Sequence, residues 1–205
     1  MKKLLLLLIF ISVSIFAQEY KRYHFKSGKI VYESTGAMTG TSTTYFDNYG
    51  MLEAKKSNLT IDMMGVKQEH NSLEIMKDRW VYSVNLKTNT ATKIENPMYQ
   101  LFPNGVEGEE VAIAMMKKMG GKKIGTETVS GKNCDIWDVP KMMSKIWVWK
   151  TIPIKTETNV MGMQITQTAT SVETDIPISQ DKFNIPKGIT IKTMDKVDYN
   201  KMLGK

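Results

Sequence analysis

Trp80-Val81-Tyr82-Ser83-Val84-Asn85-Leu86 is the stretch whose reading decides the fold. Trp80, Tyr82, Val84 and Leu86 alternate with Val81, Ser83 and Asn85. Successive side chains on a strand point to opposite faces, so one face is apolar and the other mixed, as in a half-buried antiparallel sheet. Lys77-Asp78 turns the chain into this strand and Thr88-Asn89 turns it out, toward Thr90 to Ile94.

The same pattern extends in both directions. Upstream, Tyr23-x-Phe25 and Ile30-x-Tyr32 read as strands flanking a bend at Ser27-Gly28. Thr41 to Asp47 reads as a strand closed by Asn48-Tyr49-Gly50, and Leu59, Ile61 and Met63 alternate up to Gly65. Downstream, Lys123 to Val129 and Cys134 to Val139 read as a hairpin around Ser130-Gly131. Lys145 to Lys150 places Trp147 and Trp149 on one face. Ile152 begins a long strand that turns near Gly162, and the threonine-rich Gln164 to Thr174 returns. Pro153 and Pro177 belong at strand ends or edges, because proline cannot donate to a ladder. Phe183 and Ile185 read as apolar plugs in a compact turn, and Ile189 to Ile191 as a last strand.

One helix interrupts the strands. Glu107, Glu109 and Glu110 stand in its first turn and Lys117 and Lys118 in its last, both favourable to the helix dipole. Gly120-Gly121 ends it. Val111, Met115 and Met119 fall at fourfold spacing, giving an apolar side that must lie against something. The expectation is one α+β, mainly β domain over residues 18–195: a long, curved antiparallel sheet with the helix on its concave side, followed by a polar tail at 196–205.

The first residues read as a signal for export. Met1-Lys2-Lys3 is positive, Leu4 to Phe16 is apolar apart from Ser12 and Ser14, and Ala17 meets polar Gln18-Glu19. The apolar run is shorter than the ~20 residues a bilayer span requires. Cleavage after Ala17 is therefore expected, leaving a periplasmic or secreted protein that is not transmembrane. Loss of Lys2 and Lys3 takes the formal charge from +7 to +5. Basic residues are interspersed with acidic ones, which excludes a nucleic-acid groove.

Catalytic and metal-binding patterns are absent. His24 and His70 are far apart, Cys134 is the one cysteine, and no zinc spacing, nucleophile elbow or phosphate loop occurs. Asp135 and Asp138, three apart on a strand, face opposite sides and do not form an acid–base pair. Cys134 is expected to be a buried, inert thiol. The expectation is a protein that is not an enzyme and uses no cofactor and no metal. Its sixteen methionines cluster at Met63-Met64, Met115-Met116, Met142-Met143 and Met161-x-Met163.

Several segments together resemble an uncharacterised family of exported bacterial proteins that is similar to the outer-membrane lipoprotein carrier LolA. These are Tyr45-Phe46-Asp47-Asn48-Tyr49-Gly50, Gly131-Lys132-Asn133-Cys134, Trp147-Val148-Trp149 with Ile152-Pro153-Ile154-Lys155, and Asp181-Lys182-Phe183-x-Ile185-Pro186-x-Gly188. The resemblance implies an unclosed half-barrel whose apolar hollow is plugged by helices. It has no counterpart here of the cavity arginine used in lipoprotein transfer. Two functions follow as expectations. One is a carrier for a lipid or another apolar ligand, lined by Trp80, Tyr82, Val111, Met115, Met119, Trp147 and Trp149. The other is an envelope structural or protein-interaction domain with a filled core and no ligand.

Overall fold

A computed structural model describes residues 21–63, 65–96, 108–160 and 162–194. The export signal, the tail beyond 194 and Glu107 lie outside the described residues.

The alternating stretches form one twelve-stranded sheet whose two edges do not meet. Its first half is a meander of consecutive antiparallel neighbours: β1 (Gly28–Gly36), β2 (Met38–Asp47), β3 (Leu52–Met63), β4 (Val66–Lys77), β5 (Trp80–Asn85) and β6 (Thr90–Glu95). The second half is another meander: β7 (Lys122–Val129), β8 (Lys132–Val139), β9 (Ser144–Trp149), β10 (Ile152–Val160) and β11 (Met163–Thr174). The halves meet where β1 pairs with β11, Gly28 opposite Thr174. A short β12 (Thr190–Thr193) then returns to lie parallel to β6.

The turns carry the chemistry read from the sequence. Asp78, Asn89 and Ser130 adopt positive φ, followed at the β7–β8 turn by Gly131, a conformation Asn, Asp and Gly tolerate best. Register slips at Val31/Tyr32, Pro153/Lys155 and Lys123/Gly125 are bulges that bend and twist the sheet. Pro153 sits one residue inside the start of β10, at such a bulge, where a missing N–H is tolerated.

The helix α1 runs from Gly108 to Lys118. It ends as Gly120-Gly121 dictates: the Gly121 N–H donates to the Met116 carbonyl and that of Gly120 to Lys117, with Gly120 at φ +78°. Its start is pinned by the Gly108 N–H donating to the Lys21 carbonyl at 2.6 Å, and its body packs on β8.

Two expectations are corrected. Residues 22–27, expected to hold a Tyr23-x-Phe25 strand, form a series of bends. Their aromatic groups pack downward instead of entering a ladder: the Tyr23 ring lies 4.5 Å from Phe46 and Phe25 stacks on Trp149 at 5.0 Å. The last strand begins at Thr190 rather than Ile189 and is wholly exposed, so Ile191 adds no core.

Candidate functional site

Register assigns side chains to the two faces of the first half-sheet. Phe46, Glu53, Met76, Val81 and Ile94 form one row on one face. Tyr45, Ala54, Ile75, Tyr82 and Lys93 form a row on the other. The two faces are covered by different parts of the chain.

The first face is covered by residues 21–23 and, through Lys21, by the start of α1. Arg22 Nη1 lies 3.1 Å from Glu53 Oε2 and donates to Met76 Sδ at 3.8 Å. The Tyr23 hydroxyl donates to Glu53 at 2.6 Å. Burial raises the Tyr23 phenol well above its ordinary range, and the neighbouring Glu53 carboxylate raises it further, against the opposing pull of Arg22. Tyr32, whose hydroxyl donates to the Pro153 carbonyl at 3.0 Å, is raised for the same leading reason. The face is apolar only at this end. Farther along, Ser34, Ser42, Thr44 and Ser57 are buried in it, so the middle of the sheet is lined by small hydroxyls.

The opposite face is closed by residues 178–185. Phe183 is buried with Ala54 and Ile75, and Ile178, Ile185, Leu73 and Tyr82 pack around them. The expected plugs are therefore in place. Asp181, in the 3-10 turn Gln180–Phe183, has its carboxyl lowered by a hydrogen bond from Ser179.

The second half-sheet holds the larger cluster. Cys134, Trp147, Ile152 and Ile154 pack with Tyr23, Ile30, Tyr32, Phe46 and Ala169. The Trp147 indole N–H donates to Glu127 at 2.6 Å, and Lys155 stands 4.5 Å above its ring. Burial pushes the Cys134 thiol up, away from the reactive thiolate.

The seven residues expected to line one pocket fall in three places. Trp147 is buried in the large cluster and Trp149 packs against it. Trp80 and Tyr82 lie on the plugged face, with Lys93 at 4.0 Å and 5.6 Å from their rings. On α1, Val111 is buried and Met115 half-buried, as is Met119 in the turn just after the helix. The sequence pattern could not separate them, because an alternating strand shows which residues share a face and not what covers it. The Arg22–Tyr23–Glu53 cluster was missed for a related reason: its members are brought together by a bend between distant segments, which leaves no local signal.

Described residues line a cavity at each end of the sheet. One, of about 180 Å³, lies where α1 begins, between Lys21, Tyr23, His24, Tyr49, Glu109 and Thr151. The other is an open polar cleft of about 770 Å³ at the opposite end of the sheet, among Thr39, Thr60, Asp62, Lys67, Glu69 and Lys87. Among the described residues, no group of three or more His, Cys, Asp or Glu could hold a metal ion, and no helix is long and apolar enough to cross a membrane.

No protein-family model matches the chain, and no curated protein matches it. Among solved structures, it is similar to an uncharacterised conserved protein from Thermus thermophilus, with a TM-score of 0.54 at 6% identity over 83% of this chain and 92% of that one. Weaker likenesses are to a chain of the Pseudomonas aeruginosa MucA/MucB complex (TM-score 0.42, 10% identity, 82% of this chain and 58% of that one) and to LprF from Mycobacterium bovis (0.39, 8%, 77% and 90%). These two are too distant to carry an argument. The likeness to the Thermus protein establishes a shared fold, built in this chain as an unclosed, mainly antiparallel sheet with one described helix.

Proposed function

We propose that the chain is a non-catalytic binding protein of the bacterial cell envelope that holds a lipid or another apolar molecule on the face where α1 begins. The observation that carries this reading is the unequal cover of the unclosed sheet. On one face Phe183 buries Ala54 and Ile75, whereas Met76, Val81 and Ile94, in the matching row of the other, remain half-buried. Met115 and Met116 of α1, and Met119 in the turn that follows it, are also half-buried. Methionine is unbranched and polarizable, and fits contents of varied shape. An open sheet with an incompletely covered apolar end is a natural place for such a ligand. In this reading Met115 and Met119 touch the ligand, Val111 anchors the helix, and Trp80, Tyr82, Trp147 and Trp149 support the frame. The export signal supports the periplasm or the exterior as its location.

Native mass spectrometry of the protein purified from the cell envelope tests this, with lipid extraction from the same material. Bound lipid, or uptake of a fatty acid or phospholipid, is expected. Repeated ligand-free spectra with no uptake would remove the reading.

A second reading, an envelope interaction domain with a filled core, is favoured by one specific observation. Cys134, Trp147, Ile152, Ile154 and Phe46 are packed at 0–6% exposure, and both defined cavities are lined largely by polar groups. A ligand-free protein that crosslinks to one envelope protein would favour it.

A further inference from the structure

The two ends of the sheet differ in a way that neither packing nor turn chemistry requires. At one end the turns are polar: Asn48-Tyr49-Gly50, Asp78-Arg79, Ser130-Gly131 and Lys150-Thr151. At the other end lie five hairpin turns, between β1 and β2, β3 and β4, β5 and β6, β8 and β9, and β10 and β11, of which the β5–β6 turn, Lys87-Thr88-Asn89, is polar. Backbone hydrogen bonds chain the other four into one rim. The Asp62 N–H donates to the Ala37 carbonyl at 2.8 Å, Ala37 to Gln164 at 2.9 Å, and Asn159 to Met143 at 3.0 Å.

This rim is apolar at its crest. Val66 is 69% exposed, Met143 55% and Met142 43%. They are three of the six exposed large apolar side chains among the described residues. Met38, Val160 and Met163 are half-buried beside them. Turns ordinarily carry Gly, Asn, Asp or Ser, and Met143 even takes the left-handed conformation, at φ +49°, that those residues adopt more easily. Of the other methionines in the sequence clusters, Met64 and Met161 lie outside the described residues.

Behind the crest the charge is predominantly positive. Lys67 adjoins Val66, Lys141 adjoins Met142, and Lys87, Lys118, Lys122 and Lys145 are exposed at the same end. The carboxylates among them are Asp62, Glu69, Asp138 and Glu157, the last opposite Lys145 and paired with Lys155 at 2.6 Å. Asp62 accepts from the Gly65 N–H within its own turn, and Asp138 stands opposite Lys122 and Lys145 in the ladder.

Flexible apolar side chains at the crest with lysines set back from it match the layering of an anionic bilayer, whose phosphates lie outside its acyl chains. We propose that this methionine-tipped rim is a reversible docking surface for anionic phospholipid membranes, with Val66, Met142 and Met143 entering the headgroup–acyl boundary and the lysines contacting phosphate. This goes beyond the carrier reading and holds whether or not the protein has a ligand of its own.

Flotation with phosphatidylcholine vesicles, with and without phosphatidylglycerol, tests it on the protein purified from the cell envelope. Binding is expected to require phosphatidylglycerol and to weaken as salt is raised. The triple variant Val66→Ser/Met142→Ser/Met143→Ser should bind at least about tenfold more weakly, since each removes buried apolar atoms from the membrane-bound state. Lys67→Glu/Lys141→Glu should weaken binding similarly, whereas Lys26→Glu/Lys150→Glu, at the opposite end, should leave it within about twofold, because surface-potential attraction falls off within a Debye length. All these sites are at the surface, and unchanged circular dichroism will confirm folding. Absence of wild-type binding to phosphatidylglycerol vesicles, or equal loss from the opposite-end variant, would overturn the proposal.

Discussion

Tyr23 and Tyr32 are both buried beside Glu53's end of the sheet, and their phenols are held neutral. Their ordinary value is 10.0, which is also what they regain on unfolding. A raised pKa in the folded state means that above this pH the unfolded chain has released protons the folded chain still holds. Stability is therefore complete below pH about 10 and falls as the pH rises further. Thermal unfolding followed from neutral pH into this range should show that decline, and Tyr23→Phe/Tyr32→Phe should reduce its steepness. The lone thiol gives a second expectation at this scale. Cys134 is sealed at 0% exposure and shifted toward the thiol form. A disulfide reagent should modify it slowly in native protein and stoichiometrically in denaturant, and equal rates in the two would contradict its burial.

Two glycines at the ends of α1 show how one residue type does different work within an element. Gly120 has positive φ and open space around it, so Gly120→Ala meets only backbone strain, about 1 kcal/mol. A Cβ on Gly108 would stand 2.2 Å from the Lys21 carbonyl and 2.6 Å from the Arg22 Cα. Gly108→Ala should force the helix off residues 21–23 and cost up to about 3 kcal/mol. Urea midpoints of the two variants measure the contrast. The sequence made the C-terminal glycine legible, because Gly120-Gly121 follows the last lysines of the helix. It held no sign of Gly108's role, which depends on a carbonyl 87 positions away. The same division runs through the strands. Asp78, Asn89, Ser130 and Gly131 announced their turns through local conformational preference, and Trp80 to Leu86 announced its alternation. What lay across each face was invisible, so Trp80 and Tyr82 were grouped with Trp147 and Trp149 although the fold separates them.

At the scale of the whole molecule, the chain after β11 binds the structure across its first half. Phe183 fills the plugged face and β12 continues past it to β6. Phe183→Ala should cost about 3–5 kcal/mol, the usual loss for a buried phenylalanine, and lower the urea midpoint accordingly. Ending the chain at Asp175 removes Ile178, Phe183 and Ile185 together and uncovers Ala54, Ile75 and Leu73. That truncated protein should bind an apolar fluorescent dye more strongly than the full chain does, and should self-associate more readily. The alternation, the helix and the plugs were all readable in the sequence and sufficed for one antiparallel sheet; that it is unclosed came from the family resemblance. The central pairing of β1 with β11 was not, since no local pattern names the partner of a strand.

That pairing also sets an order of events. A chain emerging from its amino end presents β1 through β6 while the partner of β1 is still unmade. Gly28 must wait for Thr174, nearly 150 residues later, before its outer hydrogen-bonding groups are satisfied. Until then the growing meander carries a bare central seam as well as its outer border. The last lap of synthesis, rather than the first, closes that central seam and leaves only the two outer strands of the ribbon unpaired along one side.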